Sequence, residues 1–189
     1  METDADIRIL GTRRNHCCVA ALENPGDNKD IHTKTNIGGN KMEHTLSVSK
    51  DDVYNEVAKT TEYTGSKMED AEAYKRIFTT EQDKVMLERF WNESKNTIAG
   101  SMKKFLVSEN ETSGSYVLTL ELSASFDESL LESMERSLFS FFVMNITAKW
   151  YTLANKQEAT DYAAAAATNI EDIMRKAFFK KKPQRPTYN

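Results

Sequence analysis

Leu131-Glu132-Ser133-Met134-Glu135-Arg136-Ser137-Leu138-Phe139-Ser140-Phe141-Phe142-Val143-Met144-Asn145-Ile146-Thr147-Ala148-Lys149-Trp150 is the stretch on which the fold turns. Leu131, Met134, Leu138, Phe141, Phe142, Asn145, Ile146 and Trp150 recur at three- and four-residue intervals, the spacing that lines one face of an α-helix. Neither proline nor glycine occurs from Leu130 to Phe179. Its most apolar part, Leu138 to Ile146, contains Ser140 and Asn145 and is bounded by Arg136 and Lys149. A membrane span needs about 20 apolar residues, so the run predicts a buried helix with no membrane role.

Downstream, Asn155 with Glu158 restarts the pattern as a second helix carrying Ala159, Tyr162, Ala163, Ala166, Ile170, Ile173, Met174 and Ala177. Ala163 to Ala167 gives it a smooth surface that another helix can approach closely. Lys176 and Lys180 to Lys182 suit a helix C-terminus, and Pro183 stops it.

Upstream, Asp127 or Ser125 is the expected cap of the Leu131 helix. Tyr116, Leu118, Leu120 and Leu122 alternate with Val117, Thr119 and Glu121, the mark of a half-buried strand. A lone strand is not stable, and Leu46 and Val48, alternating with Thr45 and Ser47, supply its partner. Thr79 with Gln82 predicts a helix running to about Leu106, with Leu87, Trp91, Ile98, Met102 and Phe105 on one side. Gly100 within it suggests close packing or a bend, since glycine costs about 1 kcal/mol there relative to alanine. Ser108 to Ser115 reads as a polar loop. Ser49 with Asp52 opens an earlier helix on which Val53, Val57, Ala58 and Thr61 recur until Gly65, and Asp70 to Ile77 reads as a short helix.

The expected fold is therefore mainly α: a bundle of about four helices with a small two-stranded β element, its core drawn from Leu87, Trp91, Ile98, Phe105, Leu118, Leu120, Leu138, Phe142, Ile146, Trp150, Ile170 and Ile173. Residues 42–182 form this domain and 183–189 an extended basic, proline-containing tail. Residues 1–41 differ in character: Asn24-Pro25-Gly26-Asp27-Asn28-Lys29 and Gly38-Gly39-Asn40-Lys41 are turn chemistry, and the apolar residues have no sustained period. They read as a disordered extension, or as a misassigned one if translation starts at Met42, for which the Gly38-Gly39 codons can spell a purine-rich ribosome-binding sequence.

Charge is unevenly spread along the 189 residues, which sum to −4. Residues 175–189 hold Arg175, Lys176, Lys180, Lys181, Lys182 and Arg185 and no acid, leaving 19 basic against 29 acidic side chains in the rest. An acidic body is a poor surface for nucleic acid, whose phosphates need clustered cations, so DNA contact is at most non-specific. Cys17 and Cys18 are neighbours and close no useful loop, which suits free thiols in a reducing compartment. The N-terminus, Met-Glu-Thr-Asp-Ala-Asp, lacks the charged-then-apolar pattern of a secretory signal.

No chemical constellation emerges. The seven glycines form no phosphate loop. His16, His32 and His44 lie in or at the edge of the poorly patterned start, and His16 with Cys17, Cys18 and His32 matches no zinc spacing. Neither a cofactor nor a catalytic site is expected. Glu88, Glu93, Asp127, Glu128, Glu132 and Glu135 read as solvated faces, with Glu88 placed to meet Asn92 and Glu132 to meet Arg136. Trp91 and Trp150 read as core. The candidate interaction residues are Arg175, Lys176, Lys180, Lys181, Lys182, Arg185 and Tyr188. They either complement the helix dipole or dock on a partner, Pro183 and Pro186 stiffening the segment.

Ser49-Lys50-Asp51-Asp52-Val53-Tyr54, Met86-Leu87-Glu88-Arg89-Phe90-Trp91, Leu138-Phe139-Ser140-Phe141-Phe142-Val143, Lys149-Trp150-Tyr151 and Asp172-Ile173-Met174-Arg175-Lys176 resemble a group of short proteins encoded in prophages of gut bacteria. The resemblance covers Met42 to Thr187 and leaves residues 1–41 outside. Those proteins look like virion morphogenesis components, and the element order is similar to that of head–tail connector, or adaptor, proteins. The resemblance implies a non-enzymatic structural protein, a homo-oligomeric ring, phage portal and tail proteins as partners, and a place in the virion and, during assembly, in the bacterial host's cytoplasm. It carries no functional residue across. Two other readings stay open: a tail-completion or terminator protein, and a small helical regulator that binds protein or DNA through its basic tail.

Overall fold

The computed structural model describes residues 41–68, 75, 77–112 and 114–183, all within a unit that runs from Ile37 to Asn189. The expectations for residues 1–40, and for most of a helix over 70–77, fall outside the described residues. The elements are β1 (Lys41–Ser49), α1 (Lys50–Ser66), α2 (Lys84–Ser101), β2 (Leu106–Thr112), β3 (Ser115–Ser123), α3 (Leu131–Ala154) and α4 (Lys156–Ala177). Among the described residues the fold is mainly α, with four helices and a small antiparallel sheet.

The sheet has three strands in the order β1-β3-β2, one more than the sequence pattern predicts. The expected pairing is present: Leu46 lies opposite Leu118 and Val48 opposite Tyr116. These four residues, with Leu120 and Leu122, are buried on one face. The polar segment expected as a loop is instead strand β2. It shows no alternation because its residues are nearly all exposed. A register shift between Leu106 and Ser108 leaves Glu109 opposite Leu118 and Glu111 opposite Tyr116. Two acids thus sit on the inner side of the sheet but at its edge, where they find partners: Tyr116 Oη donates to Glu109 at 2.7 Å, and Lys50 and Lys95 pair with Glu111. The β2–β3 turn depends on Gly114, whose φ of +79° is a conformation that side-chain-bearing residues rarely adopt. The Gly114 carbonyl in turn accepts the Lys50 N–H at 2.8 Å, joining the hairpin to the start of α1.

The caps fall close to the expected positions. Ser49 Oγ accepts the Asp52 N–H. The cap expected at Thr79 and Gln82 lies one residue on, where the N–H and hydroxyl of Thr80 both donate to Asp83 at 2.8 Å. Thr79 is instead buried against Thr61, 3.3 Å between hydroxyl oxygens. α2 ends at Ser101, short of the expected Leu106, because the chain must turn into β2. The space around Gly100 is open, with nothing within 4 Å of where a Cβ would sit, so no close packing explains this glycine. Asp127 accepts from the Ser129 N–H and caps a 3-10 turn, Glu128–Leu130, that leads into α3. At Asn155 the backbone break between α3 and α4 is one residue long, with no side-chain cap bond.

Helix α3 is central and packs against α1, α2, α4 and β1. Of the apolar face the opening stretch predicts, Met134, Leu138, Phe141, Phe142, Ile146 and Trp150 are buried, Leu131 and Asn145 are partly so, and Val143 is buried beside them. Trp91 from α2 meets Phe142 at 4.5 Å between ring centroids and contacts Tyr54 and Tyr116 edge-on. Helix and sheet are thereby tied at one aromatic cluster, each such side chain contributing roughly 1.5–3 kcal/mol by burial. Of the expected core residues, Leu87, Trp91, Ile98, Leu118, Leu120, Leu138, Phe142, Ile146, Trp150 and Ile173 are buried, while Phe105 and Ile170 are partly buried and pack against them. No helix among the described residues is long and apolar enough to cross a membrane.

Candidate interaction surface at the C-terminal end

The basic segment begins within α4, where its first cations are committed to the body. Lys176 reaches across to α3, donating to Ser137 Oγ at 3.0 Å and to the Ser133 carbonyl at 3.3 Å, and forms an ion pair with Asp172. Asp172 also accepts from Ser137 at 2.8 Å and from Arg175 at 2.7 Å. Burial alone would raise the Asp172 pKa. The hydrogen bonds from Lys176, Ser137 and Arg175 outweigh it and hold the value at about 2. Lys176 and Asp172 thus tie α4 to Ser133 and Ser137 of α3, whereas Arg175 pairs only within its own helix and is exposed.

Past Ala177 the chain leaves the helix through Phe178, whose ring packs edge-on against Phe105 at 5.0 Å. It then runs antiparallel to the segment after β3, with Lys180 bridged to Phe126. Asp127 N donates to the Phe179 carbonyl at 3.3 Å and Lys181 N to the Ser125 carbonyl at 2.8 Å. Phe126 is buried, with the His44 ring tilted against it at 5.4 Å between centroids, so the strip is held by a residue rooted in the core. Lys181 Nζ reaches Glu128 at 3.0 Å. Lys180 and Lys182 are exposed, as are the flanking rings of Phe178 and Phe179, at 60% and 50%. A groove of about 920 Å³ lies here, lined by Asp127, Leu130 and residues 179–183.

Two aromatic rings and two lysines at the surface, on a fixed backbone, can bind a face that is both acidic and apolar. The expected site is therefore divided: Lys176 serves the fold, Lys181 joins it through its backbone and an exposed pair with Glu128, Arg175, Lys180 and Lys182 face solvent, and Arg185 and Tyr188 lie outside the described residues. Phe126, Asp127 and Glu128 receive the strip; Phe126 escapes the sequence reading, which takes Asp127 only as a cap or a solvated acid and Glu128 only as part of a solvated face. The available signal was Phe126 itself, a large apolar residue in the polar run Ser123-Ala124-Ser125-Phe126-Asp127.

The carboxylates considered for chemistry are engaged elsewhere. Glu88 takes Lys50 and the Tyr54 hydroxyl rather than Asn92. Glu93 takes Lys149 and Arg89, whose hydrogen bonds lower its pKa. Glu132 pairs with Arg136, as the spacing predicts, and Glu135 accepts the Ser47 N–H at 3.0 Å. Among the described residues no three His, Cys, Asp or Glu side chains come together to hold a metal ion; His16, Cys17, Cys18 and His32 lie outside them. Comparison with family models, curated proteins and solved structures gives no match.

Proposed function

We propose that the protein is a structural, non-enzymatic part of a phage virion: a head–tail connector that forms a homo-oligomeric ring between portal and tail. The observation that carries this reading is the anchored arm. The backbone bonds at Phe179 and Lys181 fix where and in what direction the chain leaves the body, and a basic, proline-stiffened segment follows. A closed ring needs a rigid body, a recurring lateral face and a contact that hands each subunit to the next. The α3–α4 hairpin, tied by Asp172 and Lys176 to Ser133 and Ser137, contributes rigidity. The phage resemblance supports the same reading, and an acidic body lining a channel would repel DNA in transit.

The test is solution mass by light scattering, on the full chain alone and mixed with the portal protein of the same gene cluster. Rings, or a stable complex with the portal, are the expected result. A monomer that ignores the portal would overturn the connector reading in favour of a tail-completion protein or a small regulator, and salt-dependent DNA binding would then separate those two.

A further inference from the structure

A second groove, of about 560 Å³, lies between the first half of α1 and residues 78–87. Ala58 and Leu87 line it, as do the aromatic residues Tyr54 and Phe78, and its charged groups are the acids Asp51 and Glu81 with one cation, Lys84. The Tyr54 ring is held in place by its hydroxyl, which donates to Glu88 at 3.2 Å. The Glu81 side chain is 95% exposed and only loosely matched by Lys84, 4.0 Å away. Aromatic walls with nearby acids form the kind of surface that takes an extended proline-containing segment with basic residues: prolines lie against rings, and cations meet carboxylates. The chain contains such a segment, Lys182-Pro183-Gln184-Arg185-Pro186, at its C-terminus.

We infer that this groove receives the C-terminal arm of a second copy of the chain. The arm's own groove is out of reach. The arm is anchored beside Ser123 and Leu130, whereas Asp51 follows the opposite end of the sheet, where Ser49 pairs with Ser115. β3 separates these ends by about 26 Å. Phe78 adjoins Ile77, whose carbonyl is bonded by Trp150, about 30 Å along α3 from Leu130. The six residues after Pro183 extend about 20 Å at most. Docking is therefore between copies, donor arm on one surface and acceptor groove on another, a contact that can repeat head to tail around a ring. The inference rests on the ring reading for its biological sense, though the contact itself does not depend on the portal.

The experiment is fluorescence anisotropy of a labelled synthetic peptide, residues 180–189, titrated with the full chain and with Glu81→Lys and Asp51→Asn variants, alongside light scattering of the same proteins. Both substituted residues are exposed, and circular dichroism checks that the variants fold. The expected result is saturable binding that weakens at least about tenfold with the double variant, weakens with added salt, and is lost when the peptide carries Pro183→Ala, Arg185→Glu and Pro186→Ala together. No binding, or binding indifferent to the groove variants, overturns the inference. Rings that persist unchanged in the double variant also overturn it while leaving the connector reading intact. Groove-dependent peptide binding by a chain that never forms rings supports the contact and sinks the connector.

Discussion

The indole Nε1 of Trp150 donates to the main-chain carbonyl of Ile77 at 2.6 Å, closing the far end of α3 over the segment that precedes α2. Trp150 is 9% exposed, so the ring and the hydrogen bond act together. Trp150→Ala should destabilise the protein by about 3–5 kcal/mol as a large-to-small core change. Trp150→Phe keeps most of the apolar volume but strands the carbonyl, for a loss of about 1–3 kcal/mol. Urea unfolding with a constant slope measures both, and a negligible loss for Trp150→Phe would contradict a separate role for the hydrogen bond.

Asp172 predicts a specific acid limb. Its folded pKa of about 2 lies below the ordinary 3.8, so its contribution is complete above the ordinary value and is lost as pH falls through about 2. After allowance for solvent screening the amount is about 1 kcal/mol. Asp172→Asn should be less stable than the native chain at neutral pH and should lose less on acidification. Parallel stability curves for the two proteins over that range would argue against the assignment.

The two glycines with described surroundings should respond in opposite directions. Gly100→Ala meets open space inside a helix and should stabilise by about 0.5–1 kcal/mol. Gly114→Ala places a side chain at φ +79° and should destabilise by roughly 1 kcal/mol. Thermal midpoints of the pair give the answer, and a gain at Gly114 would mean that the turn can change its shape.

Where the arm is cut should matter more than whether it is cut. Ending the chain after Pro183 removes no described backbone bond and should leave the midpoint unchanged. Ending it after Phe178 removes the bonds at Asp127 and Lys181 and should cost roughly 1–3 kcal/mol in total. Equal midpoints for the two truncations would show that the strip against Ser125 to Asp127 contributes nothing to the body.

The helices and the central strand were legible because they are amphipathic: periods of 3.6 and 2 are visible wherever one face is buried, as at Leu118, Leu120 and the Leu131–Trp150 face. β2 was not legible because its exposure removes the alternation, and its acids gain partners only through tertiary neighbours such as Lys50 and Lys95. The basic segment was visible as composition, but its division into structural and surface cations was not. That division depends on Ser133 and Ser137 standing opposite Lys176, and on Phe126 and Glu128 receiving residues 180 and 181. These contacts join residues far apart in sequence and follow no local spacing.

The sheet's order also fixes a sequence of events at the ribosome. β2 and β3 are neighbours and can form their hairpin as soon as residue 123 is free, but β1 is made first and must wait for β3 to be synthesised before it has a partner. Until then Leu46 and Val48 are exposed on an unpaired strand, and closing the long loop from residue 49 to residue 115 is the slow, entropy-limited step. That waiting edge is the one through which a half-made chain would first stick to another, while the outer edge of β1 has its Ser47 N–H taken by Glu135 in the finished fold.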